Sequence, residues 1–429
     1  MTGVLIAAPA SGSGKTTVTL GLLRALARAG RSVASAKAGP DYIDPAFHAA
    51  ASGAPCVNLD PWAMRPALLA ALSGEAEGEL LVVEGMMGLF DGAADGTGSA
   101  ADLALRLGLA VVLVVDCARQ SHSVAALVRG FRDHRPDLAL AGVILNRVAS
   151  PRHEALLRAA LAPLALPVLG ALPTREDLGL PSRHLGLVQA GEHPALEAFI
   201  ERAADWVAAG LDLAALATLA ARDLPRDMAV ARLAPLGRRI AVARDEAFAF
   251  AYPHLLAGWR RDGAELAFFS PLGDEAPEVG ADAVFLPGGY PELHAGRLAG
   301  AERFRAGLTA AADRGAAIYG ECGGYMVLGD GLEDAEGRRH RMLGLLPLET
   351  SFARRRRQLG YRRLRPLGGF PWREGLLAGH EFHYASTIRE GAAERLFAAT
   401  DAAGDPLGAM GLRRGRVGGS FCHVIDRAE

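Results

Sequence analysis

The sequence predicts an α/β fold in two domains, and three observations lead there. The chain has 429 residues, more than one hydrophobic core ordinarily serves. Short, continuously apolar runs alternate with helix-period segments through its first half, the pattern of a parallel sheet covered by helices on both faces. The same alternation restarts after an Ala-rich helical stretch and a polar segment punctuated by Pro225 and Pro235, between Ala203 and Leu236. The expected organisation is a first domain over residues 1–205, a linker over 206–237 and a second α/β domain over 238–429.

In the first domain Val4–Ala8 reads as a buried strand and Thr16–Ala29 as a helix stopped by Gly30. Ser32–Ala36, Leu80–Val83, Ala110–Val115, Ala141–Leu145 and Val168–Ala171 read as further strands. In the second domain strands are expected from Arg239, over Ala283–Leu286, over Ala317–Tyr319 and near the end through Gly418–Ile425. Arg354–Arg357, together with Arg362 and Arg363, is expected on exposed strands or a loop. Such a run is normally a solvated face, and would act as a docking patch for a polycarboxylate.

Composition narrows the function. Half the residues are apolar and the formal net charge is −2, which argues against nucleic acid as the main partner. No apolar run reaches the roughly 18 residues a membrane span needs. The N-terminal apolar stretch has no basic n-region and runs into a phosphate-loop pattern, so it reads as a first strand. The four cysteines, Cys56, Cys117, Cys322 and Cys422, form no C-x-x-C pair, which fits a reducing, cytoplasmic setting and neither a disulfide framework nor a zinc site.

Ala7–Thr17 (AAPASGSGKTT) sits between a strand and a helix, where backbone N–H groups and the helix N-terminus can face phosphates. Gly12, Ser13, Gly14, Lys15, Thr16 and Thr17 are the candidate ATP-binding residues. Lys15 would reach the β- and γ-phosphates and the Thr16 hydroxyl would ligate Mg²⁺. Pro9 stands where the usual pattern has Gly, so the loop is a variant. Lys37–Pro45 (KAGPDYIDP) puts Asp41 and Asp44 in a loop at a strand's carboxyl end, where ligands bind in open α/β sheets; Asp and Pro favour a plain turn equally well. Leu80–Gly92 (LLVVEGMMGLFDG) ends a buried strand on Glu84, a second candidate Mg²⁺ support, with Asp91 in the loop that follows. Asn146 is a candidate adenine contact, or an ordinary strand-end Asn.

In the second half Ala316–Gly324 (AAIYGECGG) has the spacing of a nucleophile elbow with Cys322 in the nucleophile position. The flanking glycines permit the sharp turn, and the helix that follows would favour the thiolate. The N–H of Gly323 is one candidate oxyanion donor, and the Gly-rich Pro287–Tyr290 (PGGY) offers another at Gly289. A nucleophilic Cys needs a base, and spacing alone leaves His380, His383 and His423 open. Cys422, adjacent to His423, points to the opposite face of a strand and reads as core.

These motifs, with LPGGYPELHA, GHEFHYAS and GSFCHVI, resemble along essentially the whole chain the cobyrinate and hydrogenobyrinate a,c-diamide synthases. Those couple a dethiobiotin-synthetase-like P-loop amidoligase domain to a class I glutamine amidotransferase domain. The resemblance implies glutamine hydrolysis at Cys322 with His423 as base, and transfer of ammonia to a corrin carboxylate activated by ATP as an acyl phosphate. It implies Lys15, Thr16 and Glu84 as nucleotide and Mg²⁺ groups. Asp41, Tyr42, Ile43 and Asp91 match positions that shape the corrin carboxylate site. ATP, L-glutamine and hydrogenobyrinate or cobyrinate are then the expected small-molecule partners, and a homodimer the expected assembly. One departure stands out: class I amidotransferases place a Glu two residues past the His, where this chain has Ile425. Cobyric acid synthase and nickel-sirohydrochlorin diamide synthase share the chemistry. A P-loop partitioning ATPase fused to a binding module is the reading from another class, and it would have no use for the Cys322 elbow.

Overall fold

The computed structural model describes every residue except 181, 184, 185, 220–222, 225–227, 374 and 429, so part of the expected linker, Pro225 included, lies outside the described residues. The chain divides into two compact units, Met1–Trp62 with Pro66–Val230 and Ala63–Arg65 with Ala231–Glu429.

The first unit is built on seven strands: β1 (Thr2–Ala7), β2 (Val33–Ala38), β3 (Cys56–Leu59), β4 (Leu80–Glu84), β5 (Ala110–Asp116), β6 (Leu140–Val148) and β7 (Val168–Pro173). Their order is β3-β2-β4-β1-β5-β6-β7 and every pairing is parallel. β2 and β4 are buried at every position, as strands covered on both faces must be. Helix α1 (Lys15–Arg28) follows β1 and buries Val18, Leu20, Leu22, Leu23 and Leu26. Burial of each such side chain contributes about 1.5–3 kcal/mol. Helix α2 (Asp44–Ser52) follows β2 and begins on the Asp41 side chain, whose Oδ1 accepts from the N–H groups of Ile43 and Asp44. β3 was not expected. The parallel arrangement brings the carboxyl ends of β1, β2, β4, β5 and β6 to one edge, where the motif residues lie.

The second unit holds a ten-stranded sheet. In chain order its strands are β8 (Arg239–Ala243), β9 (Glu265–Phe269), β10 (Ala283–Leu286), β11 (Ala317–Glu321), β12 (Gln358–Pro366), β13 (Leu377–His383), β14 (Glu394–Thr400), β15 (Pro406–Arg414), β16 (Val417–Ser420) and β17 (Cys422–Arg427). The spatial order is β9-β8-β10-β11-β16-β15-β14-β12-β13-β17. The first five strands in that order are parallel and the rest antiparallel. Helix α3 (Gly323–Leu328) starts directly after β11. The final hundred residues are thus mostly β.

Arg362 departs from the exposed placement expected for it. It lies buried on β12, its guanidinium donating to Oε2 of Glu381 on β13 at 2.7 and 2.8 Å. Arg354–Arg357 and Arg363 are exposed. All four cysteines are free and buried, Cys422 in the core among them. Among the described residues no helix is long and apolar enough to cross a membrane.

Candidate functional site

In the first unit the phosphate loop leaves β1 and enters α1 at Gly14, whose φ is +88°. A Cβ there would sit 2.3 Å from the Asn146 amide nitrogen, so both the conformation and the close approach require glycine. That amide donates to the Ser13 carbonyl at 2.9 Å, while Asn146 Oδ1 accepts from the Arg147 N–H. The Asn146 side chain therefore holds the loop. Ser13 Oγ donates to the Ala10 carbonyl, Thr17 Oγ1 lies 3.5 Å from the Leu178 carbonyl, and Gly12 has φ +81°. Over Pro9–Ser13 opens a cavity of about 550 Å³, also lined by Asp116, Gln120, Leu127 and Arg147. That volume is within the range of small-molecule sites, about 300–1,000 Å³.

Lys15 is buried and donates to the Met87 carbonyl at 2.6 Å. Burial pulls its pKa down, with Glu84 opposing. Thr16 Oγ1 donates to Glu84 Oε1 at 2.7 Å. Glu84 is also the centre of a buried network the sequence did not reveal. Its Oε1 accepts from Lys37 Nζ at 2.9 Å and its Oε2 meets His48 Nε2 at 2.6 Å. Lys37 also donates to Asp44, and Cys56 Sγ lies 3.6 Å from His48 Nδ1.

Burial works against both cations and both anions here, and mutual attraction overcomes it at Lys37, His48 and Glu84 but not at Asp44. It would lower Lys37, but Asp44 and Glu84 push Lys37 well above its ordinary value. His48 is likewise raised to about 10 against burial, by Cys56 and Glu84. Burial would raise Glu84, but Lys37 and His48 hold it below the usual carboxylate range. For Asp44 burial and Asp41 win over Lys37, and its pKa rises to about 6. Glu84 is thus ionised at neutral pH beside a hydroxyl at the phosphate loop. Two hard oxygens, one anionic, fit a Mg²⁺ ion that takes its other ligands from phosphate and water. Among the described residues no group of three or more His, Cys, Asp or Glu could hold a metal without such help.

The loop carrying Asp91 is tied to the phosphate loop: Leu89 N–H donates to the Ala8 carbonyl, and Asp91 Oδ2 accepts from Gly88 N–H at 2.8 Å. Asp41 and Tyr42 are half-buried and Ile43 buried at the entrance to α2, with the Asp41 carbonyl held by Asn58 Nδ2 at 2.6 Å. Asp41 therefore closes the turn that leads into α2 whatever else it does.

In the second unit Cys322 occupies the sharp turn between β11 and α3 with φ 48° and ψ −106°. Such a backbone conformation costs a non-glycine residue about 1–3 kcal/mol. The side chain is 2 % exposed. Burial, then Glu292, push the thiol well above its ordinary value, and the Gly323 N–H opposes them less strongly.

Of the three candidate histidines the structure brings His423 to Cys322. A Cβ on Gly288 would lie 2.3 Å from His423 Cε1, 3.1 Å from its Nε2 and 3.3 Å from Cys322 Cβ, so this glycine is the space the two side chains share. Gly323 lies against the neighbouring glycine, since its Cβ would stand 3.1 Å from the Gly289 nitrogen. Burial, with His380 and His383 nearby, pulls His423 down to about 3, leaving a neutral imidazole. His383 is engaged at both nitrogens, by Ala385 O at 3.1 Å and Glu381 Oε1 at 3.0 Å. His380, buried edge-on to Tyr361, is also lowered to about 3. The residue before the nucleophile, Glu321, places Oε2 3.7 Å from His423 Nδ1.

Residues 4–188 match the family described as the CobQ/CobB/MinD/ParA nucleotide binding domain, and residues 239–429 the CobB/CobQ-like glutamine amidotransferase domain. A hydrogenobyrinate a,c-diamide synthase from Brucella suis is 68% identical over 431 residues, 99% of each chain. Enzymes of the same name from Rhizobium meliloti and Rhodobacter capsulatus are 64% and 56% identical, over 100% and 99% of this chain and 100% and 98% of theirs. The similarity runs through both units, and the chain belongs to the hydrogenobyrinate a,c-diamide synthase family.

Proposed function

We propose that this chain converts the a and c carboxylates of metal-free hydrogenobyrinate into carboxamides, using ATP and L-glutamine. The observation that supports it best is the pairing, in one chain, of a phosphate loop beside the ionised Glu84 with a strained Cys322 turn against a neutral His423. A carboxylate resists nucleophiles because it is anionic and its leaving group is poor. Phosphorylation by ATP removes both obstacles, and ammonia then displaces phosphate.

In the first unit the loop at Gly12–Thr17 would cradle the phosphates, with Lys15 released from the Met87 carbonyl to reach them. Thr16 and Glu84 would hold Mg²⁺, which neutralises the developing charge on the transferred phosphoryl group. Asp41, Tyr42, Ile43 and Asp91 would line the acceptor carboxylate. In the second unit Cys322 would attack the glutamine amide as its proton moves to His423, with the Gly289 and Gly323 N–H groups receiving the oxyanion. Ammonia must reach the acyl phosphate before water protonates it. Dependence on ATP and on buried free cysteines supports a cytoplasmic location.

The test is the purified protein with Mg-ATP and glutamine, given hydrogenobyrinic acid in one tube and cobyrinic acid in another. Two successive mass changes corresponding to OH-to-NH₂ exchange, faster in the metal-free tube, are expected. Active glutamine hydrolysis with no change in either tube would force a different acceptor.

Asp91→Asn keeps the shape of the loop but removes its charge. It should lower synthesis roughly tenfold or more while glutamine hydrolysis persists, because losing one electrostatic contact at a reacting centre has effects of at least that order. Unchanged synthesis would remove Asp91 from the acceptor site.

A further inference from the structure

In amidotransferases with a His-x-Glu pair the carboxylate sits on the strand of the base. Here that position is Ile425, fully buried and apolar. The geometry points to Glu321 as the residue that positions His423, supplied from the strand of the nucleophile. This rests on the reading of Cys322 and His423 as nucleophile and base.

Four observations support it. Glu321 and His423 are each 2 % exposed, with Oε2 and Nδ1 3.7 Å apart. The other carboxylate oxygen, Oε1, accepts the Val424 N–H at 3.0 Å, which pins the carboxylate to the residue next to His423. The far edge of the ring, Cε1 and Nε2, faces the space shared with Cys322. Cys322 N–H donates to the Ser420 carbonyl at 2.8 Å, so the turn that aims the thiol also fixes Glu321 relative to β16 and the residues leading into β17. The other close pair, His383 with Glu381, has both imidazole nitrogens occupied and its ring stacked on Phe421.

A proton carried on Nδ1, the edge of the ring nearest Oε2, turns the basic Nε2 toward the side of the thiol. The proton of Cys322 moves to Nε2 as the C–S bond forms on the glutamine side-chain carbon. The same proton then passes to the departing NH₂ as the C–N bond breaks, releasing ammonia and leaving the glutamyl thioester. Water repeats the sequence to release glutamate. Glu321 exchanges no proton with the substrate; it holds the ring and faces the imidazolium while that charge exists. Burial pushes Glu321 up to about 8, opposed by the Val424 amide and Tyr319, as it pulls His423 down. Each charge is disfavoured alone in the dry site and stabilised by the other. The remaining titratable groups that bear on the trio are His380 and His383 on His423, and Glu292 and Glu381 on Cys322.

Glu321→Gln in the full chain retains an oxygen that can accept from Val424 N–H, so a purely structural role survives it. With ATP and hydrogenobyrinate present, glutamine hydrolysis should lose about 10²-fold or more in kcat, as when the orienting acid of a triad is made an amide. KM for glutamine should change less than about twofold and ammonia-dependent synthesis should stay near wild type. The rate of Cys322 alkylation by iodoacetamide near neutral pH should fall several-fold, because the imidazolium that accompanies the thiolate loses its counter-charge. Glu321→Asp, which keeps the charge, should fall between the two and decides the matter if the Gln variant does not fold. A Gln variant with kcat within about threefold of wild type and an unchanged alkylation rate overturns the role of Glu321. A wild-type protein that releases no ammonia from glutamine overturns the Cys322–His423 reading itself.

Discussion

Cys322→Ala should abolish amidation from glutamine and leave amidation from added ammonia intact. The first effect should be about 10⁴-fold or more on kcat for glutamine hydrolysis, since no neighbouring group can form the thioester. The second follows because the groups proposed for ATP and the acceptor, from Lys15 to Asp91, all belong to the first unit, whereas Cys322 belongs to the second. Alanine keeps a Cβ at the same strained turn, so backbone strain is unchanged, and the loss of one buried sulfur should cost only about 1 kcal/mol. The assay follows amide product by mass spectrometry with glutamine or with ammonium chloride near pH 8.5, where free ammonia is more abundant. Retention of full glutamine-dependent synthesis would mean that another residue is the nucleophile.

The legible parts of this chain are those where one physical demand acts on consecutive residues. β1, β4 and β5 are sandwiched on both faces, so their apolar runs are continuous and easily seen. β3 has four residues and includes Asn58, whose amide ties down the Gly39 and Asp41 carbonyls, and so it looked like loop. β12 mixes buried and exposed positions instead of presenting an apolar run, and its buried Arg362 reads as surface until Glu381 is seen opposite it. Among site residues, Lys15, Thr16, Glu84 and Cys322 announce themselves beside glycines at strand ends. Spacing alone left His423 one of three candidates, and the space at Gly288 is what joins it to Cys322. Glu321 stood next to the nucleophile, but nothing in a linear reading ties it to a histidine about a hundred positions later. Lys37 left a signal: a lone cation inside the otherwise apolar strand VASAKA must be paired, and Asp44 follows seven residues later.

That buried cation gives the largest expected effect on stability. Lys37→Met fills the same space with an apolar chain and leaves Glu84 and Asp44 without their shared cation. Breaking one partner out of a buried ionic cluster destabilises by about 3–5 kcal/mol, because the remaining charge is uncompensated. For a unit of roughly 200 residues that corresponds to a fall in Tm of about 6–20 °C. The sign with pH separates this from a loss of packing. In the wild type the depressed pKa of Glu84 contributes stability that is present above its unfolded value and is lost as pH falls through the folded one. In the variant Asp44, already raised to about 6 by burial and Asp41, loses the opposing Lys37 and takes up a proton still more readily than in the unfolded chain, so stability falls as pH rises above the ordinary carboxylate range. The difference between the two proteins should therefore be smallest near pH 5 and grow toward pH 8, measured by thermal unfolding. The transition to follow is that of the first unit; glutamine hydrolysis assayed at 25 °C reports whether the second remains folded. A gap that does not change with pH would mean that Lys37 is held there by its methylenes rather than by its charge.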